Sequence, residues 1–220
     1  MSQNKTNFAV PLAFVGMMFF AIGFALGINS LLVPVLQGSL GISNAASYLI
    51  IAATFIPFLV FGYPAGLTIK AIGYKKTMSL SFFIFAAAFY LFILSANEKS
   101  FSLFLLASFV SGAANAYLQA SVNPYITILG PLESAAKRIS IMGICNKLAW
   151  PVAPLFFALV VADQTNVQTS DLYLPFYIII GVFLLLGIIS LMAPLPEVKA
   201  AGEDESDTAN CPYAANKTSI

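Results

Sequence analysis

Apolar residues run along this chain in stretches too long for a globular helix and too unbroken for a half-buried strand. Runs of about 20 or more, the length that crosses ~30 Å of hydrocarbon, occupy roughly residues 8–36, 46–69, 77–96, 101–129, 139–161 and 172–194. They predict six membrane-spanning helices and an all-α integral membrane bundle over residues 1–195. Spans one and four are the longest, at about 29 residues each, and are expected to tilt or to extend past the bilayer. The apolar pattern ends before residue 196. Residues 196–220, with Glu203, Asp204, Glu205 and Asp207 clustered, read as a solvated acidic tail or interdomain linker.

Within the spans, polar and small residues recur at helical spacing. Span four carries Ser108, Ser111, Gly112, Asn115, Gln119 and Asn123, three or four residues apart and so on one face. Span five carries Ser140, Gly143, Asn146 with Lys147, Trp150 and Pro154, and span one Gly16, Gly23, Gly27, Ser30 and Pro34. An unpaired amide in hydrocarbon costs several kcal/mol, so these stripes face protein or water, and the three helices are expected to line one aqueous cleft. For the glycines, Gly23-xxx-Gly27 and Gly62-xxx-Gly66, close helix packing is the weightier explanation. Packing alone does not require the three carboxamides of span four.

Lys147 stands about nine residues from the inner end of span five, and Gln119 about ten from that of span four. Both therefore lie ~14 Å deep by helical rise. A lysine stem reaches only about 6 Å, and an ammonium in lipid costs roughly 3 kcal/mol or more, so Lys147 is expected to face the cleft. The carbonyl oxygens of Asn146 and Gln119 and the ring of Trp150 are its expected partners.

Composition narrows the class. Sixty per cent of the residues are hydrophobic and 9% charged, against about 25% charged in a soluble domain. A net charge of +1 without a basic run argues against nucleic acid as a partner. There is no histidine, and the spans hold no Asp or Glu, no nucleophile elbow, no phosphate loop and no metal-ligand cluster. No catalytic residue, metal site or cofactor is expected, and no enzyme. Cys145 lies in an apolar run and Cys211 in the tail, a poor arrangement for a disulfide. The first run is too long for a signal peptide and reads as an anchor.

Placing the N-terminus inside puts Lys5, Lys70, Lys75, Lys76, Lys137, Arg138, Lys199 and Lys217 on the cytoplasmic side and Lys99 alone outside. The loop with Asp163 and Asp171 is then external, and the sequons at Asn4 and Asn216 are cytoplasmic chance matches. The expected location is the cell (inner) membrane, with both the N-terminus and the tail cytoplasmic.

GLTIKAIGYKK (Gly66–Lys76) resembles the glycine-and-basic signature of the major facilitator superfamily between its second and third helices, with Lys70 where an acid is usual. PLPE (Pro194–Glu197) resembles the common close of that family's sixth helix. NPYITILGP (Asn123–Pro131) with Asn146, and FFAIGFALGINSLLVPVL (Phe19–Leu36), resemble the L-fucose permease and glucose/galactose transporter branch. The resemblance covers all six spans. It implies a sugar-proton symporter-like fold of two six-helix halves around a central site, each half a 3+3 inverted repeat. This chain matches the N-terminal half, so a second six-helix half, in the same gene or on a separate chain, is an expected partner, with the lipid bilayer.

The same resemblance implies transport of a neutral monosaccharide by alternating access. The expected binding residues are Asn29, Ser30, Asn115, Gln119, Asn123, Asn146, Lys147 and Trp150. Carboxamides suit sugar hydroxyls, which donate and accept at once. Where fucose permeases have acids in their first and fourth helices, this chain has Ser30 and Gln119, so proton coupling through this half is not expected. Two other readings stay open. One is a transport-inactive six-helix remnant with a structural or regulatory role, and the other is a carrier of an anionic solute with Lys147 as charge partner.

Overall fold

The computed structural model describes residues 9–129, 132–160 and 173–193. They form α1 (Ala9–Leu40), α2 (Asn44–Asn97), α3 (Phe101–Ile128), a 3₁₀ turn (Leu132–Ser134), α4 (Ala135–Val160) and α5 (Tyr173–Met192). These are five helices long and apolar enough to cross a membrane. The acidic tail, Cys211, the sequons at Asn4 and Asn216, and the Asp163–Asp171 loop lie outside the described residues.

Spans two and three of the sequence form one element, α2, broken at Gly73 (φ 84°, ψ 168°). A positive φ of this kind suits a residue without Cβ. The break reverses the chain. Thr54 lies against Gly112 of α3, Tyr74 against Tyr125 (ring centroids 6.0 Å) and Phe92 against Phe104 (4.9 Å). A straight helix would hold Thr54 and Phe92 about 57 Å apart, yet their partners on α3 are separated by only about 12 Å. The first stretch of α2 therefore runs along α3 and the second runs back.

The second stretch packs antiparallel on α5. The Ser79 hydroxyl donates to the Gly187 carbonyl (2.7 Å), Phe85 stacks on Phe183 (5.0 Å), and Phe92 on Phe176 (5.9 Å). In lipid the hydrophobic effect does not hold helices together, so close packing and ring geometry carry this layer. α1 and α4 run parallel. Gly16 faces Met142, the Asn146 amide donates to the Phe19 carbonyl (3.1 Å), and a Cβ at Gly27 would stand 2.9 Å from that of Ala153.

Many buried hydroxyls donate within their own helix. Thr54 donates to Ile50 (2.9 Å), Ser81 to Thr77 (2.8 Å) and Ser190 to Leu186 (2.7 Å), which lets them sit in an apolar bundle without an orphaned proton. Ser43 and Ser100 cap α2 and α3, accepting from the amides of Ala46 (3.2 Å) and Leu103 (3.4 Å).

Arg138 departs from its expected place in an inner loop. α4 begins at Ala135, and Arg138 is buried, 7% exposed. Its guanidinium donates to the carbonyls of Ile126 (3.2 Å) and Thr127 (3.1 Å) at the end of α3, and to the Ser134 hydroxyl. It clamps the ends of the two helices, a cation on the negative end of α3.

Candidate functional site

Asn29, Ser30 and Trp150 meet at one cavity of about 400 Å³ between α1, α4 and the first stretch of α2. Glycine makes this meeting possible. A Cβ at Gly23 would collide with the Asn146 carbonyl, and one at Gly27 would stand 2.9 Å from the Trp150 carbonyl, so α4 lies directly on α1 and Trp150 comes beside Asn29 and Ser30. The small-residue packing expected of Gly23-xxx-Gly27 is present. Gly62 and Gly66 have nothing within 4 Å among the described residues, so that second pair makes no such contact here.

The cavity presents acceptors. The hydroxyls of Ser30 and Thr54 donate to Leu26 (3.1 Å) and Ile50 (2.9 Å) of their own helices, leaving lone pairs free. Asn29 is 7% exposed, and its Oδ1 has no partner among the described residues. Buried polar atoms are almost always paired, so an unpartnered amide oxygen at a cavity marks a place for a donor. The rest of the wall is apolar, from Pro34, Ile50 and Phe55 among others, as small-molecule sites generally are.

Span four, expected to line a cleft with spans one and five, is α3. The third wall of this cavity is α2, through Ile50, Ile51, Thr54 and Phe55. The amide stripe of α3 lies mostly inside the bundle. Ser108, Ser111, Gly112 and Asn115 are buried, with Gly112 pressed on the Thr54 carbonyl. Gln119 is half-buried and donates to Asn115 Oδ1 (3.0 Å), and Asn123 is exposed. The α3 amides thus form a pair plus an outlying residue, and none of them borders this cavity.

Lys147 is exposed at the middle of α4, its Nζ 5.1 Å from the centroid of the Trp150 ring, as the spacing predicts. The expected carbonyl partners do not accept from it. The Asn146 Nδ2 donates to the Phe19 carbonyl and the Gln119 Nε2 to Asn115 Oδ1, and Lys147 makes no hydrogen bond among the described residues. Sequence reasoning missed Thr54, whose signal was a lone hydroxyl inside the apolar run LIIAATFIPF. It also missed the role of Arg138.

Residues 13–217 match the family model described as Major Facilitator Superfamily. The chain is 31% identical over 209 residues to the glucose/galactose transporter of Brucella abortus, covering 93% of this chain and 50% of that one. It is 23% identical over 233 residues to the L-fucose-proton symporter of Escherichia coli, covering 97% and 53%. The fold matches the crystal structure of the superfamily transporter FucP in its outward conformation, with a TM-score of 0.74 at 23% identity over 87% of this chain and 51% of that one. The chain therefore spans about half the length of the relatives it matches. This chain belongs to the Major Facilitator Superfamily, whose members are multi-pass membrane transporters rather than enzymes.

Proposed function

We propose that this chain is the N-terminal six-helix half of a transporter that carries a neutral monosaccharide, of the glucose/galactose or L-fucose type, by alternating access. The observation that carries the reading is the cavity beside Asn29, Ser30 and Trp150. It combines oxygen acceptors that receive no donor among the described residues with an aromatic wall, the pairing that a sugar's hydroxyls and C–H face require. Names of relatives support the solute class, since those matched are glucose/galactose and L-fucose carriers.

The two stretches of α2 act in this reading as separate crossings, giving six. Their pairing supports a 3+3 inverted repeat. The first helix packs on the fifth through Gly23 and Gly27, the second on the fourth through Gly112, and the third on the sixth through the phenylalanine layer. Exchanging helices one to three with four to six maps the first pair onto the second and the third onto itself. Both glycine contacts press on a backbone carbonyl, of Asn146 or Thr54.

Ser30, Asn123, Lys147 and Trp150 are exposed on this chain. In hydrocarbon such groups need protein or water against them, which favours a second six-helix half closing the cleft. The Gly73 break and the α3–α4 turn share one end of the bundle, with Lys70, Lys75, Lys76 and Lys137 around them. By the excess of basic residues this end is the cytoplasmic one, in a cell inner membrane. Asn115, Gln119, Asn123 and Asn146 would join Asn29 and Ser30 in binding when the second half is in place.

The test is uptake of radiolabelled glucose, galactose and L-fucose into vesicles containing this chain joined to a second six-helix half, with and without Gln119→Leu. Saturable uptake of one of these sugars, reduced about tenfold or more by the substitution through the lost amide bonds, is expected. Undiminished uptake removes Gln119 from the site, and absence of saturable uptake overturns the carrier reading.

A further inference from the structure

Lys147 lies about 18 Å along α4 from Ala135, at mid-helix, while every other charged residue described sits near a helix end. Its ammonium has neither a carboxylate nor a hydrogen-bond acceptor within reach among the described residues, only the Trp150 ring at 5.1 Å. That ring is also a wall of the cavity holding Asn29 and Ser30. The ammonium thus stands one indole away from the cavity, and apolar walls of low dielectric screen its field less than water would.

We propose that the same cleft takes a monosaccharide bearing a carboxylate, a hexuronate, with Lys147 as the charge partner of the acid group and Asn29 and Ser30 accepting from ring hydroxyls. This rests on the sugar-carrier reading and goes beyond its neutral solutes. A carboxylate accepts from an ammonium in a charge-assisted bond stronger than any neutral hydroxyl makes there. The acid form of a hexose is therefore bound ahead of the hexose itself.

Trp150 is the chain's sole tryptophan, so its fluorescence reports this cavity without background. This chain, joined to a second six-helix half whose tryptophans are replaced by phenylalanine and purified in lipid nanodiscs with its helix content checked by circular dichroism, is titrated with glucuronate, galacturonate, glucose and galactose, and with acetate alone. The expected result is a shift of Trp150 emission by hexuronates at about tenfold lower concentration than by the hexoses, a difference of ~1.4 kcal/mol. Acetate has no effect at those concentrations. Lys147→Gln removes the preference, and Lys147→Arg, which keeps the charge, retains it.

Hexoses that shift the emission at concentrations equal to or below those of hexuronates overturn this proposal and leave the neutral-sugar reading standing. Acetate acting as well as hexuronate also overturns it, since the site would then hold an anion without recognising a sugar. No response to any of the four sugars overturns both readings.

Discussion

Gly23 and Gly112 show how little room the bundle leaves at the residue scale. A Cβ at either position meets a backbone carbonyl, of Asn146 or of Thr54, and a backbone cannot rotate out of the way as a side chain can. Gly23→Val is expected to force α1 off α4 and to destabilise the chain by about 1–3 kcal/mol, the usual range for overpacking. Gly62→Ala, where nothing stands within 4 Å, should change stability by less than about 0.5 kcal/mol. Thermal unfolding of the purified chain in detergent, followed by circular dichroism, compares the two. Equal midpoints for both variants would mean that α1 and α4 do not approach as described. The same close contact sets the site, because it brings Trp150 over Asn29 and Ser30.

At the scale of elements, each apolar run lies in a helix wherever its residues are described, but the runs did not mark the helix ends. Apolar runs mark where hydrocarbon is, whereas a helix continues into the polar zone as long as its residues favour helix, and lysine and arginine do. α2 therefore runs straight through Lys70 and resumes at Tyr74–Lys76, with Gly73 alone making the turn, and α4 starts at Ala135 rather than near 139. Stripes along single helices were legible because they need only the helical period. Which helices abut was not, so the share of α2 in this cavity, through Ile51, Thr54 and Phe55, went unread.

Arg138 was hidden for the same reason. Its partners, the Ile126 and Thr127 carbonyls, lie across a turn that no periodicity describes. Arg138→Gln should cost about 1.5–3 kcal/mol, as loss of a hydrogen-bonded charge does. It should also speed amide hydrogen exchange in the last turn of α3, from Tyr125 to Leu129, with partial rescue by Arg138→Lys. Unchanged exchange there would show that the clamp does not hold α3.

For the whole molecule, the telling features are polar groups left on its surface. Lys147 and Trp150 are exposed on α4 and Asn123 on α3, although aliphatic side chains such as Ile144 and Leu148, each 59% exposed, stand beside Lys147. The chain spans about half the length of the relatives it matches, and the second six-helix half that we propose would give these polar groups a partner. What decides the proposed function is whether a sugar occupies the space between α1, α2 and α4.

That is measured most directly by substrate protection. Ser30→Cys places a thiol at the cavity and Leu185→Cys one on α5, which lends the cavity no residue, both in this chain joined to a second six-helix half with all native cysteines replaced (Cys145→Ser and Cys211→Ser in this chain). The rate of maleimide labelling is followed with and without glucose, galactose or L-fucose. The expected result is that at least one of these sugars slows labelling at position 30 in a saturable way and leaves position 185 unaffected. Labelling at position 30 that no sugar slows would contradict it.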